Sequence, residues 1–184
     1  MKRILAVTAT AITGLAAAAV MTSSARAALP VGATAPDFQL QAALAGKPMP
    51  FSLSQALKKG PVVLYFFPAA FTSGCTKEAH DFAEAAPKFE KLGATVLGVT
   101  AGNIDRVAEF SSKECRNKFP VAGDPGLKVA KSYQATLMLR PGWSDRTSYV
   151  ISPDHKIVLA YSALNPDEHV AKTLAAVEAL KTGR

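Results

Sequence analysis

Cysteine and histidine are scarce in this chain. Its 184 residues hold two cysteines, Cys75 and Cys115, and three histidines, His80, His155 and His169. That shortage excludes a closed zinc site: His80 can be drawn beside Cys75, but His155 and His169 stand at no ligand-motif spacing. The Cys-x-x-Cys pattern of dithiol oxidoreductases is missing too, because Thr76, Lys77 and Glu78 follow Cys75. Basic residues do not gather on a binding motif, so Lys58-Lys59, Lys88 and Lys91 read as solvated surface and a nucleic-acid partner is excluded. Beyond residue 27 no apolar stretch is long enough to cross a bilayer, and no repeat or low-complexity tract appears. Nothing in the pattern calls for a metal or an organic cofactor.

What is present begins with Lys2 and Arg3, an apolar run from Ile4 to Met21, and an ending Ala25-Arg26-Ala27. Basic start, apolar middle and small-residue ending predict a signal peptide over 1–27, cleaved after Ala27; an uncleaved anchor is the alternative. There is no nearby cysteine to carry a lipid, so no stable membrane insertion is expected after cleavage. Loss of Lys2, Arg3 and Arg26 lowers the formal charge from +7 to +4, an ordinary balance for a soluble export, and leaves residues 28–184 for one domain. The leader predicts secretion across the inner membrane, into the periplasm. In that oxidising compartment an even pair of cysteines invites a structural disulfide.

The pattern along the domain predicts alternating elements. Asp37-Phe38-Gln39-Leu40 reads as a short strand, Gly46-Lys47-Pro48 as a turn, and residues 51–57 as strand or short helix. Val62 to Phe67 is apolar throughout, as in a strand covered on both faces. Apolar residues then recur at helical spacing from Thr76 to Leu92, with Pro87 as an objection, before a buried strand over 94–100. A helix from about Asn103 carries Cys115 near its end. A short strand at 119–122, helical turns around Leu127 to Tyr133, a hairpin of 147–151 with 157–161, and a last helix from Pro166 complete the order. This order predicts an α/β three-layer sandwich, a mixed central sheet flanked by helices.

Cys75 follows the Val62 to Phe67 strand and the loop Pro68 to Gly74, at the start of the first long helix. Unpaired backbone amides and the positive end of the peptide dipoles there favour an anion, and the thiolate is the reactive form of cysteine. Thr72 offers either a hydroxyl for the thiolate or its substrate, or a helix cap. Pro68 stiffens the strand exit. Arg146, before the 147–151 strand, reads alone as a surface residue, and Glu78 as a solvent-facing acid. Tyr65, Phe67 and Phe71 read equally as a water-excluding shield or as core.

The run Pro68-x-x-x-Thr72-x-x-Cys75 resembles the active-site signature of peroxiredoxins, and Gly74-Cys75-Thr76-Lys77-Glu78-Ala79 is similar to the bacterioferritin-comigratory, or peroxiredoxin Q, branch of the AhpC/TSA superfamily. The resemblance covers nearly all of the chain after residue 28. It implies a thioredoxin-like fold and a thiol-dependent peroxidase that reduces hydrogen peroxide and organic hydroperoxides through a Cys75 sulfenic acid. It also implies that Arg146 polarises the peroxide and holds the thiolate, with Arg140 as a competitor, and that Glu78 organises Arg146. Many members carry a second cysteine five residues after the first, where this chain has His80. Cys115 then matches a form of the branch whose resolving thiol comes from the following helix, and its polar neighbours Lys113 to Lys118 predict an accessible sulfur. An intramolecular Cys75–Cys115 disulfide would require local unwinding. The implied partners are a thioredoxin-like or other exported dithiol reductant, and the branch resembles monomers more often than dimers. Phe71 and Trp143 are candidates to line an entrance for larger hydroperoxides.

Overall fold

The stretch Val62-Val63-Leu64-Tyr65-Phe66 has no charged side chain and forms β3 (Val62–Phe66), every residue of which is buried. It lies inside a seven-stranded sheet in a computed structural model that describes residues 28–183; the predicted signal peptide lies outside the described residues. The strands are β1 (Gln39–Leu44), β2 (Lys47–Ser52), β3, β4 (Thr95–Thr100), β5 (Val121–Gly123), β6 (Thr147–Ile151) and β7 (Ile157–Ser162). Their order is β2-β1-β5-β4-β3-β6-β7. β3 runs parallel to β4 and antiparallel to β6, so the sheet is mixed, as predicted.

Successive side chains of a strand point to opposite faces, and β3 thereby feeds two cores. Val62, Leu64 and Phe66 join Tyr133, Tyr149 and the short helices α1 (Leu53–Leu57) and α4 (Lys128–Ser132). Val63, Tyr65 and Phe67 join Phe82 and Phe89 of α2 (Ser73–Lys91), Phe110 of α3 (Val107–Lys113) and Val177 of α5 (His169–Thr182). Burying each such side chain contributes about 1.5–3 kcal/mol. Both cysteines lie in this second core. Tyr65 stacks on Phe82 with ring centroids 4.4 Å apart, and its ring is admitted because β4 carries Gly98 opposite it. A Cβ at Gly98 would lie 2.7 Å from the Tyr65 hydroxyl.

Four boundaries differ from those expected. The first strand is longer and shifted, Gln39–Leu44, and pairs with an edge strand where a turn was expected at Gly46-Lys47-Pro48. The turn is Ala45-Gly46, both residues having positive φ, the geometry of a tight two-residue hairpin. Pro48 and Pro50 disguise β2, and they are tolerated because it is the outermost strand. Helix α2 passes through Pro87 to Lys91. The predicted helix over 103–117 is a 3-10 turn (Ile104–Arg106) followed by the seven residues of α3. Arg116 and Asn117, with φ of 50° and 61°, end it and place Cys115 outside the helix. Finally, α5 begins three residues after Pro166, whose carbonyl accepts the His169 amide.

Candidate active site

The end of β3 is held by the end of β4. Thr100 Oγ1 lies 3.2 Å from the Pro68 carbonyl, Ala70 N donates to the Gly102 carbonyl at 3.3 Å, and Asn103 Nδ2 donates to the Ala70 carbonyl at 2.9 Å. Gly102 has to be glycine, since a Cβ there would sit 2.5 Å from the Pro68 oxygen. Phe71 then takes a left-handed backbone with φ of 65°. Its ring packs against Phe110 and lies under the Arg106 guanidinium, 3.8 Å from the centroid. This pinned loop delivers Thr72 to the N-cap position of α2.

The first intrahelical bond runs from Thr76 N to the Thr72 carbonyl, 2.8 Å, so the amides of Ser73, Gly74 and Cys75 have no partner within the helix. Cys75 sits among them with 1% of its surface exposed. Arg146, from the residue before β6, meets it: Nη2 is 3.5 Å from Sγ. Nε donates to the Leu164 carbonyl at 2.8 Å, and Nη1 donates to Glu78 Oε2. With three of its nitrogens engaged, the guanidinium is fixed in a plane against the sulfur. Gly74 makes room for it, since a Cβ there would lie 3.1 Å from Nη2.

The electrostatics follow from burial. Arg146 is 4% exposed and Glu78 wholly buried. Burial disfavours the Arg146 cation, but Glu78 and Cys75 more than offset this and hold it charged. Burial pushes the Glu78 carboxyl up to about 8, against the pull of Arg146. His169, at the start of α5, is buried beside Glu78, and burial pushes its ring down to about 4.

The structure brings Cys75, Glu78 and Arg146 into contact, with Thr72 at the N-cap position of their helix and Pro68 in the pinned loop before it. Glu78 is not the solvent-facing acid of the residue-level reading, because its side of α2 faces Arg146. Thr72 makes no side-chain cap; its hydroxyl donates to the Ala69 carbonyl at 3.1 Å and so keeps its lone pairs free. Arg140 stands apart, exposed and stacked on Trp143 at 4.3 Å. Trp143 lines a cleft of about 630 Å³ with Leu127, Met138 and Leu139, while Phe71 packs on Phe110, so the two rings do not share an entrance. Tyr65 and Phe67 are core.

Cys115 is a correction. It was expected to be accessible, yet none of its surface is exposed. Its polar neighbours turn outward to other partners, Glu114 to His80 at 2.8 Å and Arg116 to Glu84 at 3.2 Å, while its own side chain joins the core with Phe82, Phe110 and Phe119. Burial, then the Glu114 carboxylate, push its thiol well up. Both cysteines are free, so the pair is not a structural disulfide in this state. Thr100, Gly102, Asn103 and His169 were missed as site residues. A buried threonine at a strand end followed by glycine and asparagine was the available signal for the first three.

A thiol at a helix N-terminus, faced by a buried arginine from the neighbouring strand of a thioredoxin-like sheet, is the electropositive setting of a reactive cysteine and marks a thiol-based redox enzyme. Residues 31–160 match the AhpC/TSA family, and the chain belongs to it. Within that family it is of the peroxiredoxin Q-like branch. Peroxiredoxin Q of the Sedum lineare chloroplast is 34% identical over 151 residues, 82% of this chain and 78% of that protein. A putative peroxiredoxin of Mycobacterium tuberculosis is 34% identical over 155 residues, 83% of this chain and 98% of its own. Among solved structures, the peroxidoxin BcpB of Mycobacterium tuberculosis superposes with a TM-score of 0.72 at 33% identity, covering 82% of this chain and 97% of that one. Peroxiredoxin Q of Xanthomonas campestris gives 0.69 at 26% identity, covering 85% and 99%. The chain is a thiol-dependent peroxidase working through a redox-active cysteine, with a hydroperoxide as substrate and a thioredoxin-like redox partner.

Proposed function

We propose that Cys75 is the attacking thiol. The observation that carries this is the 3.5 Å approach of Arg146 Nη2 to its sulfur at the unpaired amides of α2. The thiolate attacks the terminal oxygen of the hydroperoxide, the S–O bond forms as the O–O bond breaks, and the second oxygen leaves as hydroxide or alkoxide and takes up from water the equivalent of the proton that the thiol released on ionising, to give water or alcohol. Sulfur is oxidised by two electrons to the sulfenic acid, and the peroxide is reduced by the same two. Arg146 and the first-turn amides stabilise the negative charge passing from sulfur to the leaving oxygen. Thr72, its hydrogen committed to Ala69, accepts a hydrogen bond from the peroxide O–H. Pro68 keeps the loop rigid, and Glu78 holds Arg146.

Cys115 then attacks the sulfenic acid, forming the Cys75–Cys115 disulfide and releasing water. Both sulfurs are buried, so this step requires the segment after α3 to open, and the left-handed Arg116 and Asn117 mark where. An exported thioredoxin-like dithiol returns the pair to thiols, in the periplasm. The basic, apolar and Ala-x-Ala parts of residues 1–27 support export. The protein acts as a monomer, as members of this branch more often do.

The test is turnover of hydrogen peroxide and an organic hydroperoxide with candidate dithiol donors. Cys75→Ser is expected to abolish activity, and full turnover by it would sink the assignment. Cys115→Ser is expected to lose donor-driven turnover yet keep one round of peroxide reduction; unchanged turnover, or no Cys75–Cys115 peptide on mass mapping after peroxide, would leave a one-cysteine enzyme.

A further inference from the structure

The segment 114–118, which carries Cys115, is tied to the rest of the molecule unevenly. Its backbone bonds are all local: Glu114 N and Cys115 N donate to the Phe110 carbonyl, Asn117 N to the Ser111 carbonyl and Lys118 N to the Cys115 carbonyl. Among the described residues, the polar contacts of this segment that reach beyond α3 both go to α2. His80 Nε2 lies 2.8 Å from Glu114 Oε2, and because a carboxylate only accepts, the imidazole donates. Arg116 Nη1 donates to Glu84 Oε1 at 3.2 Å. The rest of the anchorage is apolar, through Cys115 itself and Phe119 just beyond it.

His80 and Glu84 stand one helical turn apart and so share a side of α2. The residues they grip come immediately before and after Cys115. Cys75 is on the same helix, so the segment that holds one sulfur is clasped to the element that carries the other. Arg116 and Asn117 have φ of 50° and 61°, a backbone conformation that side-chain-bearing residues keep only where surrounding contacts impose it. His80 also keeps Glu114 next to Cys115, where, after burial, the carboxylate pushes the thiol up. Release of Glu114 and Arg116 from α2 therefore ends the burial and withdraws that charge together, leaving a sulfur that can ionise and attack.

We propose that His80 and Glu84 are positioning residues for the resolving step: their contacts with Glu114 and Arg116 hold Cys115 in the core, and release of those contacts admits its sulfur to Cys75. Neither side chain touches a sulfur or the peroxide, and the covalent chemistry stays as written above. The inference rests on Cys115 being the resolving thiol. Both pairs are half-buried or exposed, and such pairs are individually weak, so they set the rate of opening while the apolar contacts supply most of the hold.

The experiment follows two rates by peptide mass in wild type, His80→Ala, Glu84→Ala and the double variant: alkylation of Cys115 in the reduced protein, and appearance of the Cys75–Cys115 disulfide after hydrogen peroxide. Either single substitution is expected to raise both rates about threefold and the double variant about tenfold, with alkylation of Cys75 and its oxidation by peroxide unchanged. Glu84→Arg, which sets two guanidinium groups against each other, should accelerate opening further, and adding Arg116→Glu should return it towards the wild-type rate. Salt at about 1 M should bring wild type closer to Glu84→Ala, since the pair it removes is exposed. Disulfide formation and Cys115 alkylation at one rate in every variant overturn the proposal, and so does an equal rise for Cys75, which would report general loosening. Absence of the disulfide from wild type and variants alike is the separate failure of Cys115 as resolving thiol, and the proposal falls with it.

Discussion

The two cysteines are equally hidden and differently placed. Cys75 and Cys115 share one core and expose 1% and 0% of their surfaces. Cys75 faces a fixed guanidinium and the open amides of a helix start, whereas Cys115 sits past a helix end among Phe82, Phe110 and Phe119, with its nearest acid raising its thiol further. Exposure therefore says little about which thiol reacts. The charge that a buried sulfur faces decides it, because water is not there to screen the field.

The hardest blow to that comparison is Arg146→Gln, which gives the Cys75 pocket the neutrality of the Cys115 pocket. The second-order rate with peroxide should fall about 10²–10³-fold, as for loss of one preorganised donor to developing charge. Alkylation rates of the two cysteines, read by peptide mass, should converge at the same time. An unchanged gap would locate the activation in the helix start alone.

A second difference is a pH dependence carried by the Cys75 side of the core. Glu78, raised from 4.5 to about 8, keeps a proton in the folded protein that the unfolded chain releases, so its contribution to stability is lost as pH rises through that window. His169, lowered from 6.5 to about 4, refuses a proton that the unfolded chain takes up, so its contribution grows as pH rises from about 4 to 6.5. The two cancel between 4.5 and 6.5. Above that, stability should decline by about 2 kcal/mol towards pH 8, and Glu78→Gln should flatten the decline. Unfolding curves in reducing buffer at pH 6.5 and 8 check it.

The smallest effect is expected from Gly74→Ala. A new Cβ 3.1 Å from Nη2 must push the guanidinium by a few tenths of an ångström, for a loss of roughly threefold in peroxide rate with no change in Cys115 alkylation.

Much of this arrangement is legible in the sequence, for identifiable reasons. The apolar run of β3 is legible because burial on both faces leaves no polar interruption, and the hairpin of β6 and β7 because Ser152-Pro153-Asp154-His155-Lys156 marks the turn between two strand-length runs. The edge hairpin is not, because Pro48 and Pro50 contradict a strand unless its outer position is known. At the site, the spacing of Pro68, Thr72 and Cys75 carries its own meaning, while Arg146 and Glu78 gain theirs only once two distant segments meet. Cys115 misleads because charged neighbours in sequence describe the outside of a turn, and its side chain takes the inside. Thr100 and Gly102 hold a backbone loop rather than the reacting atoms, so the only mark they leave is a threonine, glycine and asparagine at a strand end.

The close seating of Tyr65 against Gly98 carries a consequence for the history of the chain. Two adjacent central strands share one volume there, with the ring claiming the space that any side chain at position 98 would need. Drift at either position is then conditional on the other: a larger residue at 98 becomes acceptable only after the aromatic at 65 has shrunk, and a shrunken 65 leaves a void that selection can refill from 98. Descendants of this sequence should therefore change the two together or not at all.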